Sequence, residues 1–454
     1  MKAIKSITFA ALALASTGAA YSQTVIRIVA SNGDRTATQT AISKILAPGW
    51  TFQGINGSTS SSGTLGTATG ANFGAWNGTY NGNPVIIKVS YSGALAGIAA
   101  VAGDTDQRFV VSNGTGSGSV PNPLTGTTLG TDYEVGKADF GFSTNFQSTS
   151  PFNGFYQNVT YSPVIEELVG VSPLGFYASP GFPASGANIT TQLAQLLYTT
   201  GSVTLSQFTG DYTNSPTGDI NKTVWAIGRN TDAGQRFGAY TEIGLGTSSA
   251  VKVWKPSFAT VDGGTAQTTG AGNIIYGGVV GTHSLWPAET VSGIFSGLGS
   301  GGFSSGALVA QHLTTILGPD AYKGKYLNNL NQVQYIYPNA AAGYYVGYVT
   351  PGDAADRILG GNGVVPVQYR GIALKYNGVE LTSENVRNGK YTAWLYNRIL
   401  RTDAFLSAGG LKVTFSDALR DQIATVDAPS GGGLFNDDSF KVERFTDGGL
   451  VTPK

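Results

Sequence analysis

The chain has 454 residues, enough for two or three domains and a sizeable core. Its 27 Lys+Arg balance 27 Asp+Glu for a formal net charge of +0, which argues against nucleic acid or another polyanionic surface as partner. With no Cys and only two isolated His, it has no disulfides, no thiolate chemistry and no ligand set for a structural zinc, so stability must come from packing. Charged residues make up only 12% while Gly numbers 65, a balance that suits a neutral, loop-rich chain with stretches of little regular structure.

Met1 to Lys5 is basic, residues 7–17 form a short apolar run, and Ala19-Ala20-Tyr21-Ser22 offers small residues for cleavage before Gln23. Residues 1–22 read as a signal peptide. The run is too short to remain as a spanning helix, and no Cys follows it to carry a lipid, so no membrane anchor is expected. The mature protein is expected in the periplasm or outside the cell.

Thr24 to Ala30 reads as a buried strand and Ser31-Asn32-Gly33-Asp34-Arg35 as a turn. A helix follows over 36–46, with Ala41, Ile42, Ile45 and Leu46 on one face. Ser31 or Asp34 here either caps the helix or faces a ligand. Residues 52–83, rich in Gly, Ser, Thr and Asn, read as a surface excursion or hairpin. Val85 to Tyr91 is a strand, and Ser92-Gly93 opens a small-residue helix ending near Ala102. Residues 107–133 read as a second insertion, with its clearest loop signal at Ser117 to Pro123. Ala138 to Asn145 is a short strand ending in Ser143, Thr144 and Asn145. Val164 to Tyr177 is a long extended stretch able to cross between domains. Its neighbours Glu166 and Glu167 point to opposite strand faces, so they cannot serve one bond and read as solvated or hinge-flanking charge.

Ile189 to Thr200 reads as an amphipathic helix with Leu193, Leu196 and Leu197 on one side. The stretch Val224 to Tyr240 then combines a short apolar strand, a turn of small and polar residues, and a helix, with Arg229 at the strand's end. Such a unit presents free N–H groups at a helix N-terminus, where an anion can sit, and an Arg can grip that anion with two prongs. The alternative is a surface charge. Thr247 to Gly302 is Gly-rich and carries no assignment. Ala307 to Leu317 reads as a helix with Leu308, Val309, His312, Leu313 and Ile316 in an apolar stripe and His312 at the core's edge. Gly302-Phe303-Ser304-Ser305-Gly306 has the letters of a nucleophile elbow, but a Gly/Ser-rich run stands where a strand is required, so the match reads as chance. Further on, Gly343 to Val349 is a strand and Thr350 to Leu359 a helix start carrying Pro and Asp. Tyr376 to Val379 is a hairpin turn, Thr382 to Asn388 a short capped helix, Tyr391 to Leu400 a strand and Phe415 to Val426 the last helix.

The motifs VASNGDRTATQTAI, YSGALAGIAAVAG, ADFGFST, ITTQLAQLLYTTGSVTLSQFTGD, VWAIGRNTDAGQR, GYYVGYVTPGDA and YNGVELTSENVRNGKYTAWLYNRIL stand in this order over most of the chain. Together the chain resembles the periplasmic phosphate-binding proteins of ABC transporters, which have the type II periplasmic binding protein fold. The resemblance implies two α/β lobes of mixed sheets flanked by helices, joined by two crossing strands, with the ligand in the cleft between them. Residues 23–170 are expected to form lobe 1, with the insertions near 52–83 and 107–133. Residues 171–362 are expected to form lobe 2, and 363–454 the return to lobe 1 with a C-terminal tail.

Carried onto this sequence, the resemblance places the ligand against Ser31, Asn32, Gly33 and Asp34, then Ser92 and Gly93, then Ser143 and Thr144, and in lobe 2 against Arg229, Asp232, Gly234 and Gln235. Departures are visible. The family's Ser-Gly-Thr is Ala233-Gly234-Gln235, Ala94 stands for a helix-start Ser, and Thr144 stands where the family has an acid. That acid accepts the proton of monohydrogen phosphate and repels sulfate. Asp34 and Asp232 are the candidates to replace it, while Arg35 and Arg236 could instead shift preference to a doubly charged or organic anion. The expected function is a monomeric solute-binding protein for phosphate or a similar oxyanion, feeding an ABC transporter permease, with no catalysis, cofactor or metal. The alternative is a secreted structural or interaction protein that keeps the fold without binding an anion; an enzyme lacks a convincing nucleophile or metal cluster.

Overall fold

The computed structural model describes residues 23–56, 59–62, 64–117, 120–246, 249–261, 265–266, 276–291, 294–428 and 440–454. The expected signal peptide and the first part of the Gly/Asp-rich tail after Pro429 lie outside these residues. No helix among them is long and apolar enough to cross a membrane.

The first half of the chain builds β1 (Thr24–Val29), α1 (Arg35–Ile45), β2 (Thr51–Asn56), β3 (Thr59–Ser62), α2 (Leu65–Gly70), β4 (Phe73–Tyr80), β5 (Asn83–Ser90), α3 (Ala94–Ala102), β6 (Phe140–Ser143) and β7 (Ile165–Pro173). The rest of the chain contributes β8 (Gly175–Ala178), β9 (Asn188–Ile189), α4 (Thr191–Thr200), β10 (Ser202–Thr204), β11 (Lys222–Ala226), α5 (Gly234–Glu242), α6 (Gly306–His312), β12 (Ala342–Val349), α7 (Pro351–Arg357), β13 (Ile372–Tyr376), α8 (Ser383–Arg387), β14 (Trp394–Arg401), α9 (Asp403–Ala408) and α10 (Gly410–Asp421).

Two sheets organise these elements. One has the order β7-β14-β6-β1-β5-β4-β2-β3, the other β9-β13-β8-β12-β11-β10. In the first sheet β1 runs parallel to both β5 and β6, as βα crossovers require, while β14 is antiparallel to β6. In the second, β11 and β12 are parallel and β8 is antiparallel to β12. Central strands covered on both faces need apolar side chains on both. Accordingly Val224 and Ala226 pack with Leu197, Tyr198 and Tyr240 on one side, and Trp225 and Ile227 with Val309, Leu313 and Ile358 on the other. Ile26, Ile28, Ile87 and Phe142 pack with Ala41, Ile42, Phe415 and Leu419 to form the core of lobe 1.

β7 and β14 pair antiparallel from Ile165 opposite Arg401 to Pro173 opposite Trp394, interrupted by a bulge between Leu168 and Gly170. These are the two crossing strands. Glu166 and Glu167 brace them from separate sides. Glu167 pairs with Arg401 and, at 2.8 Å, with Arg420, while Glu166 accepts from the Gln147 N–H and lies 3.6 Å from Arg398. The C-terminal segment spans the same region: Phe440 and Val442 pack in the Trp394 cluster, Arg444 meets Glu242 at 2.9 Å, and Asp447 accepts from the Phe146 N–H.

Several expectations need correction. Of the two readings of residues 52–83, hairpin pairing is what forms and the surface excursion is not. β2, β3 and β4 extend the first sheet by antiparallel pairing, burying Phe52 and Trp76 where the abundant Gly and Ser hid the alternation. The chain does not return to lobe 1 at 363, because β13 pairs with β8 in the second sheet, so the crossing comes only with β14. The helix expected over 307–317 stops at His312 and Ile316–Leu317 becomes a strand, while the last helix begins at Gly410, ahead of Phe415. Leu196 is exposed, so α4 turns Ala194, Leu197 and Tyr198 inward instead.

Candidate functional site

Three turns of lobe 1 and one of lobe 2 meet at a cavity between the sheets. It is lined by Ser31, Asn32 and Gly33 before α1, by Ser92, Gly93 and Ala94 at the start of α3, and by Thr144 after β6. Ser172 and Leu395 of the crossing strands form part of the wall, and Arg229 to Gln235 (without Thr231) together with Thr350 come from lobe 2. Ten of the expected residues thus share one space: Ser31, Asn32, Gly33, Ser92, Gly93, Thr144, Arg229, Asp232, Gly234 and Gln235.

Asp34 and Ser143 do not line it. Asp34 is buried and accepts a hydrogen bond from the Asn397 amide on β14, so it faces the crossing strand rather than the cleft. Ser143 is fully buried and its hydroxyl accepts from the Asn145 N–H at 3.1 Å. Of the further charges weighed, Arg236 is buried with Nη1 on the Arg229 and Gly301 carbonyls at 3.0 and 2.9 Å, so it braces the lobe 2 turn from behind. The elbow-like letters serve the same turn. Ser304 lends only its carbonyl, Ser305 caps α6, and His312 bonds the Leu308 carbonyl in place of a serine.

Arg229 is held from three directions. Its Nε donates to Phe303 O at 3.2 Å, Nη1 to Gln235 Oε1 at 2.6 Å and Nη2 to Ser304 O at 3.1 Å. All three acceptors are neutral, and no carboxylate among the described residues lies within ion-pair distance of it. The buried guanidinium is therefore fixed in place with its charge unmatched. Burial pulls its pKa down, and the charge of Asp353 partly opposes this. Asp353 also acts on Arg35 from lobe 1, whose guanidinium bonds Asn72.

Around this cation the helix starts are open. α3 and α5 begin at the cavity and the turn before α1 lines it, and none of the three helices has a side chain capping its N-terminus. Their first N–H groups carry the positive end of the helix dipole toward the same space. Ser92 Oγ, Asn32 Oδ1 and Asn230 Oδ1 are buried there with no protein partner.

The lobes touch. Gly93, at φ 152°, lies so close to lobe 2 that a Cβ would come within 2.7 Å of Asp232 Cβ and O. A Cβ on Gly234 would overlap the Thr144 hydroxyl and approach Ala94 Cβ and Asn145 Oδ1 to 2.7 Å. The cavity left between them is about 20 Å³, room for a water molecule, which needs roughly 10–15 Å³ on this scale. The cleft is closed.

The fold is a two-lobed α/β architecture, two mixed sheets joined by the paired strands β7 and β14. No protein-family model matches the sequence, and no curated protein matches it. Solved structures do superpose over most of the chain. An ABC-type phosphate transport receptor from Vibrio cholerae covers 87% of this chain and 93% of its own at 10% identity, with a TM-score of 0.37. A possible phosphate binding protein from Planctomyces limnophilus DSM 3776 covers 92% and 95% at 10% identity and a TM-score of 0.40. PstS from Borrelia burgdorferi covers 88% and 97% at 11% identity and 0.32. At these scores the fold assignment rests on the sheet topology and the paired crossing strands.

Four wall residues escape a reading of the sequence: Ser172, Asn230, Thr350 and Leu395. Thr350 carried a signal, the Thr-Pro-Gly-Asp start of α7, but that signal describes a cap, and its hydroxyl does accept from Asp353 N. Ser172 and Leu395 enter because the crossing strands floor the cleft, which no local motif marks.

Proposed function

We propose that the protein is an extracytoplasmic solute-binding protein that captures phosphate or a similar small oxyanion between its lobes, as the capture component for ABC-type uptake, without turnover. The observation that carries this reading is the meeting of the uncapped N-termini of α3 and α5 and the turn before α1 around the unmatched guanidinium of Arg229. Backbone N–H groups, a Ser hydroxyl and a fixed cation are the donors an oxyanion needs. The size of the cavity favours an inorganic anion over an organic one, since even a tetrahedral anion requires the lobes to part slightly and reclose.

The acid expected for phosphate selectivity is not supplied by Asp34. Asp232 lines the cavity, and the partnerless oxygens of Asn32 and Asn230 can accept the proton of monohydrogen phosphate in its stead. These acceptors support phosphate over sulfate. The expected periplasmic or secreted location belongs to the same reading.

A second reading is a secreted structural protein that no longer binds an anion. It is favoured by one observation: Arg229 is already satisfied by Gln235 and two carbonyls inside a closed cleft. Thermal unfolding separates the two. A ligand at a hundred times its Kd stabilises the native state by about 2.7 kcal/mol, so millimolar phosphate should raise Tm by several degrees over chloride at equal ionic strength. An unchanged Tm in phosphate, sulfate and other oxyanions would leave the second reading standing.

A further inference from the structure

Asp34 does not reach the cleft, yet it stands at the root of the turn that does. Its backbone closes that turn, with Asp34 N donating to Ser31 O at 3.0 Å and Asp34 O accepting from Thr38 N at 2.9 Å. Its side chain turns the other way, to Asn397 on β14, opposite Gly170 and beside the bulge in the crossing strands. That contact is a hydrogen bond, from Asn397 Nδ2 to Asp34 Oδ1. The remaining oxygens of the same two side chains, Asp34 Oδ2 and Asn397 Oδ1, are both buried and both without a partner.

Two acceptor oxygens cannot satisfy each other unless one carries a hydrogen. A carboxylic acid facing a primary amide closes a cyclic pair, with amide N–H to carboxyl C=O and carboxyl O–H to amide C=O. A single proton on Asp34 Oδ2 removes both orphan atoms at once. We propose that Asp34 is held as the neutral acid, paired with Asn397, and that this pair is the positioning contact that fixes the Ser31–Gly33 turn to the returning hinge strand for anion binding. The positioning role rests on the anion-site reading; the protonated pair does not.

The surroundings fit a neutral group. No cation lies within ion-pair distance of Asp34 among the described residues. Arg35, its chain neighbour, directs its guanidinium to Asn72. Tyr91, packed on α1 from the end of β5, shares its hydroxyl with Thr38 at 2.6 Å and is itself kept neutral by burial. On β14 the adjacent Arg398 is turned to Glu166. Burial raises the Asp34 carboxyl to about 7, against which the Asn397 hydrogen bond pulls only partly.

A carboxyl raised in the folded state above its unfolded value, near 4, contributes stability that is fully present below that value and is lost as pH rises through about 7. Above that point a buried carboxylate faces the Asn397 oxygen and stands behind the turn that receives an anion. Anion affinity should therefore fall across neutrality, with a proton taken up on binding. Both histidines are held neutral by burial, at about 3 for His283 and about 4 for His312, so neither titrates there.

The test compares wild type with Asp34→Asn, whose second amide N–H replaces the acid O–H permanently. In the anion-free protein, infrared difference spectra should show a protonated carboxyl band that titrates near neutral pH and is missing from Asp34→Asn. Amide exchange protection of residues 31–34 should fall through the same pH range in wild type and stay level in the variant. With sulfate as the probe, because it does not titrate in this range, wild-type affinity should drop between pH 6 and 8.5 by roughly tenfold for each unit by which the anion raises the carboxyl's pKa. Asp34→Asn should hold the acid-form affinity throughout. No such band, or the same pH profile in both proteins, overturns the proposal. If neither protein binds sulfate or phosphate, the anion-site reading fails, and the band and the exchange profile still decide whether the pair exists and fixes the turn.

Discussion

Three helices beside the cleft start differently from most others, although α7, which opens on the wall residue Thr350, keeps its cap. α2, α4, α6, α7, α8 and α9 each open on a Ser or Thr whose side chain accepts from an N–H in the first turn: Thr64, Thr190, Ser305, Thr350, Thr382 and Thr402. α1, α3 and α5 open on Asp34, Gly93 and Ala233, and none of these supplies such a bond. Away from the cavity the same lack recurs, among the described helices, at the short helices Ser206–Thr209 and Pro319–Lys323 and at α10, which follows directly on α9. A chain so well supplied with hydroxyl caps leaves three N-termini bare at one place. Under the proposed function this contrast has a reason, since a cap would satisfy N–H groups there at the expense of a ligand.

Breaking the bare side should cost binding and spare the fold. The largest effect is expected from Arg229→Gln, which removes the only cation lining the cavity among the described residues and should weaken phosphate at least a hundredfold, about 2.7 kcal/mol, with circular dichroism unchanged. Gly234→Ala comes next. Its Cβ collides with Thr144 and Ala94 across the cleft, so the lobes cannot close. Affinity should fall by tenfold or more, and small-angle scattering in saturating phosphate should stay at the open dimensions. Wild-type affinity in this variant would mean that binding does not need the contact seen here.

Breaking the capped side should do the reverse. Thr190→Ala removes the bond to Leu193 N on α4 and should cost about 1 kcal/mol in denaturant unfolding, with phosphate affinity unaltered. The smallest effect is expected at Ser92. Its hydroxyl has no protein partner, so Ser92→Ala should leave the anion-free protein as stable as wild type. Affinity should drop by a factor of about three to ten, the worth of one hydrogen bond.

Most of the site could be read from the sequence because it is built of βα turns, whose letters are local. Ser31-Asn32-Gly33, Ser92-Gly93 and Arg229 to Gln235 each declare a strand end and a helix start, and ten of the twelve expected residues meet in one cavity. Which way a turn residue points is not local. Asp34 faces away because Asn397, 363 positions later, offers it an amide. The strands over 51–80 were hidden for a related reason: Gly54, Gly74 and Gly78 break the alternation, and two of those glycines leave room for the Phe52 ring. The lobe boundary was misplaced because Ile372–Tyr376 belongs to whichever sheet it pairs with, and only its register with β8 decides that.

The most direct test of the central claim is calorimetric titration of the chain from Gln23, stripped of bound anion, with phosphate and then sulfate at pH 7. The account predicts one phosphate per chain at micromolar Kd or tighter, with sulfate much weaker. No heat from either anion, in a protein whose folded state is verified, would contradict it and leave the cleft as a closed structural contact.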